Sequence, residues 1–171
     1  MEMPEFAMEK QFEGCRLEAY RDQGGVWTIG YGHTGPDVVQ GLRWTQAQAD
    51  AQLLKDRREA FNAVAHLVGD HLSPQEMEAL EDFVFNLGEG DFAHSTLLRD
   101  IRSGNMGAAA NEFEKWDHVA GKVCAGLLAR RAAEAALFRK GMQAAGDTAR
   151  EPGENVARAD EAGQGGVDAA D

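Results

Sequence analysis

Basic side chains are scarce in this 171-residue chain: 17 Lys and Arg stand against 29 Asp and Glu, a net charge of −12. That balance argues against sequence-independent binding of nucleic acid, where affinity comes mostly from cations that neutralise phosphates. Cysteine is nearly absent. Cys15 and Cys124 are the only two, and they form no CxxC pair. Two such residues in an intracellular protein read as free thiols rather than a disulfide framework or a metal site. The five histidines, His33, His66, His71, His94 and His118, are scattered without metal-ligand spacing, so neither a metal nor an organic cofactor is expected. No apolar run approaches the 18 or so residues of a membrane span. The opening Met1-Glu2-Met3-Pro4-Glu5 is acidic where a signal peptide carries a basic region followed by an apolar one.

The charge is unevenly placed. Residues 1–94 carry a net −10, residues 95–142 a net +3 and residues 143–171 a net −5. A middle block of opposite sign suits a surface facing something anionic, although solvated helix faces give the same count. The last block, 143–171, has 13 Ala or Gly among its 29 residues and no aromatic, Leu, Ile or Met. It cannot bury enough apolar area to offset the entropy of ordering and reads as a disordered acidic tail.

Helix signals dominate the remainder. Ser73-Pro74-Gln75-Glu76 supplies an N-cap, a proline at the first position and a capping-box glutamate. Met77, Leu80, Val84 and Leu87 follow at helical spacing before Gly88. Thr45 and Gln48 open another helix running to about Val68. Further helices are expected near 4–13, 95–103, 106–116 and 126–141. From Asp22 to His33 the period changes to two: Trp27, Ile29 and Tyr31 alternate with Thr28, Gly30 and Gly32 after a Gly-Gly turn. This predicts a strand whose glycines leave room for a ligand against the backbone. The fold class is α+β and mainly helical. A small β-containing lobe over about 14–44 is joined by a helix at 45–68 to a helical lobe at 69–142, with a cleft between the lobes.

Glu13 shares a helical face with Phe6, and Gly14 ends that helix beside the strand region. Asp22 precedes the turn, and Thr28 lies on the open face of the strand. Two carboxylates and a hydroxyl within 16 residues fit glycosidic cleavage, in which one acid protonates the leaving oxygen and the other serves the oxocarbenium-like centre or the water. In so acidic a chain the same residues also read as capping and solvated carboxylates.

The full pattern is more specific. Glu13-x8-Asp22-x5-Thr28, set in Phe-Glu-Gly-Cys-Arg-Leu-Glu-Ala-Tyr-Arg-Asp and Val-Trp-Thr-Ile-Gly-Tyr-Gly-His-Thr, closely resembles the phage-type lysozymes (endolysins, glycoside hydrolase family twenty-four). Phe85-Asn86-Leu87-Gly88, Ser95-Thr96-Leu97-Leu98, Trp116 and the run from Gly126 to Phe138 match family landmarks in order, over about residues 5–141. The acidic tail has no counterpart in that pattern. The resemblance implies a two-lobed lysozyme fold and hydrolysis of the β-1,4 bond between N-acetylmuramic acid and N-acetylglucosamine in peptidoglycan. It implies Glu13 as general acid, with Asp22 and Thr28 completing the triad and Thr28 helping to hold the water. It also implies Arg130 as a partner of Glu13, and Phe85, Asn86, Gly30 and Ser95 as candidates for the glycan groove. His33 is expected to make a supporting hydrogen bond or ion pair. Trp27 and Trp116 read as core. If Glu13 meets Arg130, Cys15 and Cys124 share a neighbourhood and could pair in an oxidising compartment. The implied partners are glycan strands and a separate holin that releases a monomeric enzyme from the host cytoplasm to the wall. A lytic transglycosylase, or a silent wall-binding virion component on the same fold, remains the alternative.

Overall fold

The computed structural model describes residues 14–22, 24–69, 71–119 and 122–148. The expected helix at 4–13, Glu13 itself, and the chain beyond Thr148 lie outside the described residues. Three strands open the described chain: β1 (Arg16–Arg21), β2 (Trp27–Gly30) and β3 (His33–Thr34). They form one antiparallel sheet in sequential order. Leu17 and Ala19 also exchange backbone hydrogen bonds with residues 42–44 along the outer edge of β1. β1 escaped the sequence reading because half of its residues, Arg16, Glu18 and Arg21, are charged and the strand remains largely exposed. Charge on such an outer strand also discourages pairing with other chains.

The strand expected to continue through His33 stops at Gly30. Gly30 and Gly32 both take positive φ, 66° and 97°, so the chain folds back at Tyr31 and returns as β3. The space beside Gly30 does not stay open to a ligand. A side-chain carbon there would meet the Trp44 ring at 3.0 Å and Ala49 at 3.6 Å, so the missing side chain accommodates Trp44. Ile29 is fully buried, with Val38, Ala49 and Leu53 also buried on this side of the molecule.

Six helices follow: α1 (Gln46–Val68), α2 (Pro74–Leu87), α3 (Glu89–Ala93), α4 (Thr96–Arg102), α5 (Met106–Glu112) and α6 (Ala125–Thr148). A 3-10 turn (Phe113–Lys115) and a two-stranded ribbon of β4 (His118–Val119) and β5 (Lys122–Val123) separate the last two helices. Both expected capping boxes form, Thr45 with Gln48 and Ser73 with Glu76. Each satisfies two orphaned N–H groups at a helix start. The helix expected at 106–116 ends at Glu112 and tightens into the 3-10 turn. The helix expected at 126–141 runs on to Thr148, because Gln143, Ala144 and Ala145 are good helix formers and no proline falls before 148, although Gly141 and Gly146 are poor helix formers. Residues 143–148 are therefore helical, where the composition suggested tail.

The main core lies among the helices. Phe83 of α2 is fully buried and meets Phe92, Phe113 and Trp116 edge-on, at 6.1, 5.5 and 5.5 Å between ring centroids. Edge-to-face pairs of this kind add about 0.5–1.5 kcal/mol each to the burial of the rings. Trp116 therefore packs on the core as expected, while Trp27 is half-buried under the Arg21 guanidinium, 4.7 Å from its ring. Cys15 and Cys124 are both half-buried free thiols.

Candidate active site

The hairpin between β1 and β2 brings two of the candidate residues together through a single backbone unit. Val26 N–H donates to Asp22 Oδ1 at 2.8 Å. The Val26 carbonyl accepts from Thr28 Oγ1 at 3.1 Å and from Asp22 N–H at 3.0 Å. The turn closes because Gly25 adopts a φ of 78°, a conformation that side-chain-bearing residues resist. Asp22 stands exposed at the turn, and Thr28 is buried to 3% exposure behind it. The Thr28 hydroxyl proton is committed to Val26, so its oxygen is left to accept a hydrogen bond from a third group. The second oxygen of Asp22 carries no such commitment to the turn.

Beyond the hairpin, a cavity of about 310 Å³ opens between the sheet and the helices. Gly32, His33 and Thr34 form one wall, Asp56 and Glu59 of α1 another, and Phe85 and Glu89 the third. Asp22 and Thr28 lie outside this lining. His33 is held on both ring nitrogens: its Nδ1 lies 2.9 Å from Asp56 Oδ2 and its Nε2 3.5 Å from Asp37. Gln52 steadies Asp56 with a 2.7 Å hydrogen bond.

Under Phe85 runs a buried charge network that the sequence reading saw only in part. Arg130, 2% exposed, grips Asp82 with two parallel hydrogen bonds of 2.9 and 2.8 Å. Its guanidinium carbon lies 5.9 Å from the Phe85 ring centre. The next residue, Arg131, donates to Asn86 Oδ1 at 2.7 Å and pairs with Glu134 at 3.0 Å. That last contact is an ion pair lacking the alignment of a hydrogen bond. Burial alone would raise the Asp82 carboxyl. The two hydrogen bonds and the charge of Arg130, with the charge of Arg131, hold it below the ordinary range instead. Burial pushes Glu134 well above that range. The nearby Asp82 carboxylate adds to the rise, and the Arg131 charge opposes it. Close by, Arg57 of α1 donates to Glu81 at 2.7 Å, both buried. Two successive acids of α2 thus receive arginines from two different helices.

Ser95 does not face the groove. Its hydroxyl caps α4, accepting from Leu98 N–H at 3.0 Å and donating to the Phe92 carbonyl at 2.7 Å. Gly30 lies under Trp44, and Gly32 takes its place in the cavity wall. Asp82, Arg131, Glu134 and Asp56 were missed. The available signal was local: two acids inside the apolar run of α2, and an Arg-Arg-x-x-Glu in an Ala-rich helix. Among the described residues, no group of three His, Cys, Asp or Glu side chains could hold a metal ion.

A family model described as phage lysozyme matches residues 10–134. The chain belongs to the phage lysozyme family. A SAR-endolysin of bacteriophage PS119 is 37% identical to it over 122 residues, covering 71% of this chain and 73% of its own. Among solved structures, the muramidase domain of SpmX from Asticaccaulis excentricus is 38% identical, with a TM-score of 0.69 over 77% of this chain and 92% of that one. An endolysin from Escherichia coli O157:H7 phage FAHEc1 is 31% identical, with a TM-score of 0.68 over 81% of this chain and 93% of its own. The α+β, mainly helical architecture expected from the sequence is thus that of the phage lysozymes.

Proposed function

We propose that this chain is an endolysin of the lysozyme type, hydrolysing the β-1,4 bond between N-acetylmuramic acid and N-acetylglucosamine in bacterial peptidoglycan and so lysing the host cell. The observation that carries the reading is the family match over residues 10–134, within which Asp22 and Thr28 share the backbone of Val26. Glu13 acts as general acid, passing its proton to the glycosidic oxygen as the bond to the anomeric carbon breaks. A water donates one hydrogen bond to the Thr28 oxygen, whose own proton is held by Val26. It turns its second proton toward Asp22, and its lone pair attacks the oxocarbenium-like carbon. A hydroxyl so fixed as an acceptor has a use in hydrolysis and none in a transglycosylase, which forms its anhydro ring without water. Arg130 supports the site from beneath Phe85, and His33 fixes the cavity wall.

The net charge of −12 sets nucleic acid aside as a partner. Among the described residues no helix is long and apolar enough to cross a membrane. The reading has a monomer that waits in the host cytoplasm and reaches the wall through a lesion made by a holin. The deciding experiment is digestion of purified sacculi with reducing-end analysis, comparing the wild-type chain with Glu13→Gln. New reducing ends from the wild type, and nearly none from the folded variant, are expected. Anhydromuramoyl ends would establish the transglycosylase instead, and an inactive wild type the silent wall-binding component.

A further inference from the structure

Asp82 and Asn86 sit one turn apart on the face of α2 that packs along α6, and the consecutive arginines of α6 take one each. Arg131 is fully buried and held on three sides. Its Nη2 donates to Asn86 Oδ1 at 2.7 Å. The same nitrogen stands 3.0 Å from Glu134 Oε1, and its guanidinium carbon lies 4.9 Å from the centre of the Phe83 ring. Glu134 is also fully buried, with Arg130 Nε 3.7 Å from the same oxygen. As a means of joining two helices this is a poor choice, since apolar side chains of similar volume do as well or better than a buried ion pair. The arrangement does something apolar packing cannot: it fixes the direction of an amide.

A guanidinium only donates hydrogen bonds. The atom of Asn86 that meets Arg131 must therefore be the carbonyl oxygen. Turning the amide over would set its N–H groups against those of a buried cation and leave both without an acceptor. The two amide N–H groups are thus confined to the opposite side of a half-buried side chain, next in sequence to Phe85, which lines the cavity. We propose that Arg131, braced by Glu134, is a positioning residue that locks Asn86 as a hydrogen-bond donor toward an acceptor oxygen of the glycan strand, a sugar hydroxyl or an acetamido carbonyl. Glu134 closes the side of that nitrogen away from Asn86, with Oε1 at 3.0 Å. The proposal rests on the reading of the chain as a glycan hydrolase.

Three variants of the full chain test it on purified sacculi, with thermal unfolding followed in parallel. Asn86→Asp keeps the shape and the oxygen that Arg131 needs but replaces the donor with a second acceptor. It is expected to keep or raise the melting temperature and to lower kcat/KM at least tenfold, mainly through KM. Arg131→Met combined with Glu134→Met removes the pair without stranding either charge. It is expected to fold and to lose kcat/KM by a similar factor. On an Asn86→Ala background the Met pair is expected to cause no further loss. Full activity in Asn86→Asp, full activity in the folded Met pair, or an undiminished effect of that pair on the Asn86→Ala background would each overturn the proposal. Should the Met pair fail to fold, Asn86→Asp decides alone. A wild type that releases no new reducing ends from the sacculi would instead remove the hydrolase reading underneath, so the two failures are told apart.

Discussion

Replacing Asp82 by alanine probes the charge network more directly than any other single change. Asp82 is 1% exposed and accepts both parallel hydrogen bonds from Arg130, itself 2% exposed. Removing one partner of a buried pair costs about 3–5 kcal/mol. In a domain of this size each kcal/mol moves the midpoint by about 2–4 °C, so Asp82→Ala should unfold ~6–20 °C below the wild type near pH 7. The pH dependence follows from the direction of the shift. The folded state holds the Asp82 carboxyl below its ordinary value of about 3.8. Its contribution is therefore complete above that value and fades as pH falls through the lower folded one. The gap between the two proteins should be wide from neutral pH down to about 4 and close below that. Circular dichroism melts at stepped pH would measure it. A difference under about 3 °C at pH 7, or a gap that stays constant into acid, would refute the assignment of Asp82 as the anchoring charge of Arg130.

Three further outcomes are expected. Thr28→Val keeps the shape of a buried residue and removes one hydrogen bond to Val26, so stability should fall by about 1 kcal/mol. Hydrolysis of sacculi by the same protein should fall to a small percentage of wild type, and retained turnover would mean the water is held elsewhere. Gly30→Ala places a methyl group 3.0 Å from Trp44 at a φ of 66°, which should cost about 1–3 kcal/mol in a denaturant melt. Ser95→Ala should cost about 1 kcal/mol as a lost N-cap with kcat/KM unchanged per folded molecule, whereas a groove contact would show as a raised KM.

The local signals were legible in proportion to how local their physics is. Both capping boxes, the end of α2 at Gly88 and the turn before Trp27 depend on residues within a few positions of one another, and all of them form. The spacing of Glu13, Asp22 and Thr28 was visible for the same reason: the three lie within 16 residues, and Asp22 and Thr28 flank one turn. β1 was not legible, because a charged outer strand has no apolar alternation and is defined by its pairing with β2 and residues 42–44. Gly30 misled for a related reason. A missing side chain leaves the same mark in sequence whether a ligand or Trp44, fourteen positions away, fills the gap.

The sequence by itself determined the family and the class of fold, because these are written in short-range patterns. Only the tertiary structure decided which charges meet. Asp82 and Arg130 are 48 positions apart, and Asn86 and Arg131 are 45 apart. Nothing in either segment alone says that an acid inside an apolar helix will be matched by an arginine inside an alanine-rich one. That match exists only when α2 and α6 pack face to face, and burial there makes each pairing obligatory.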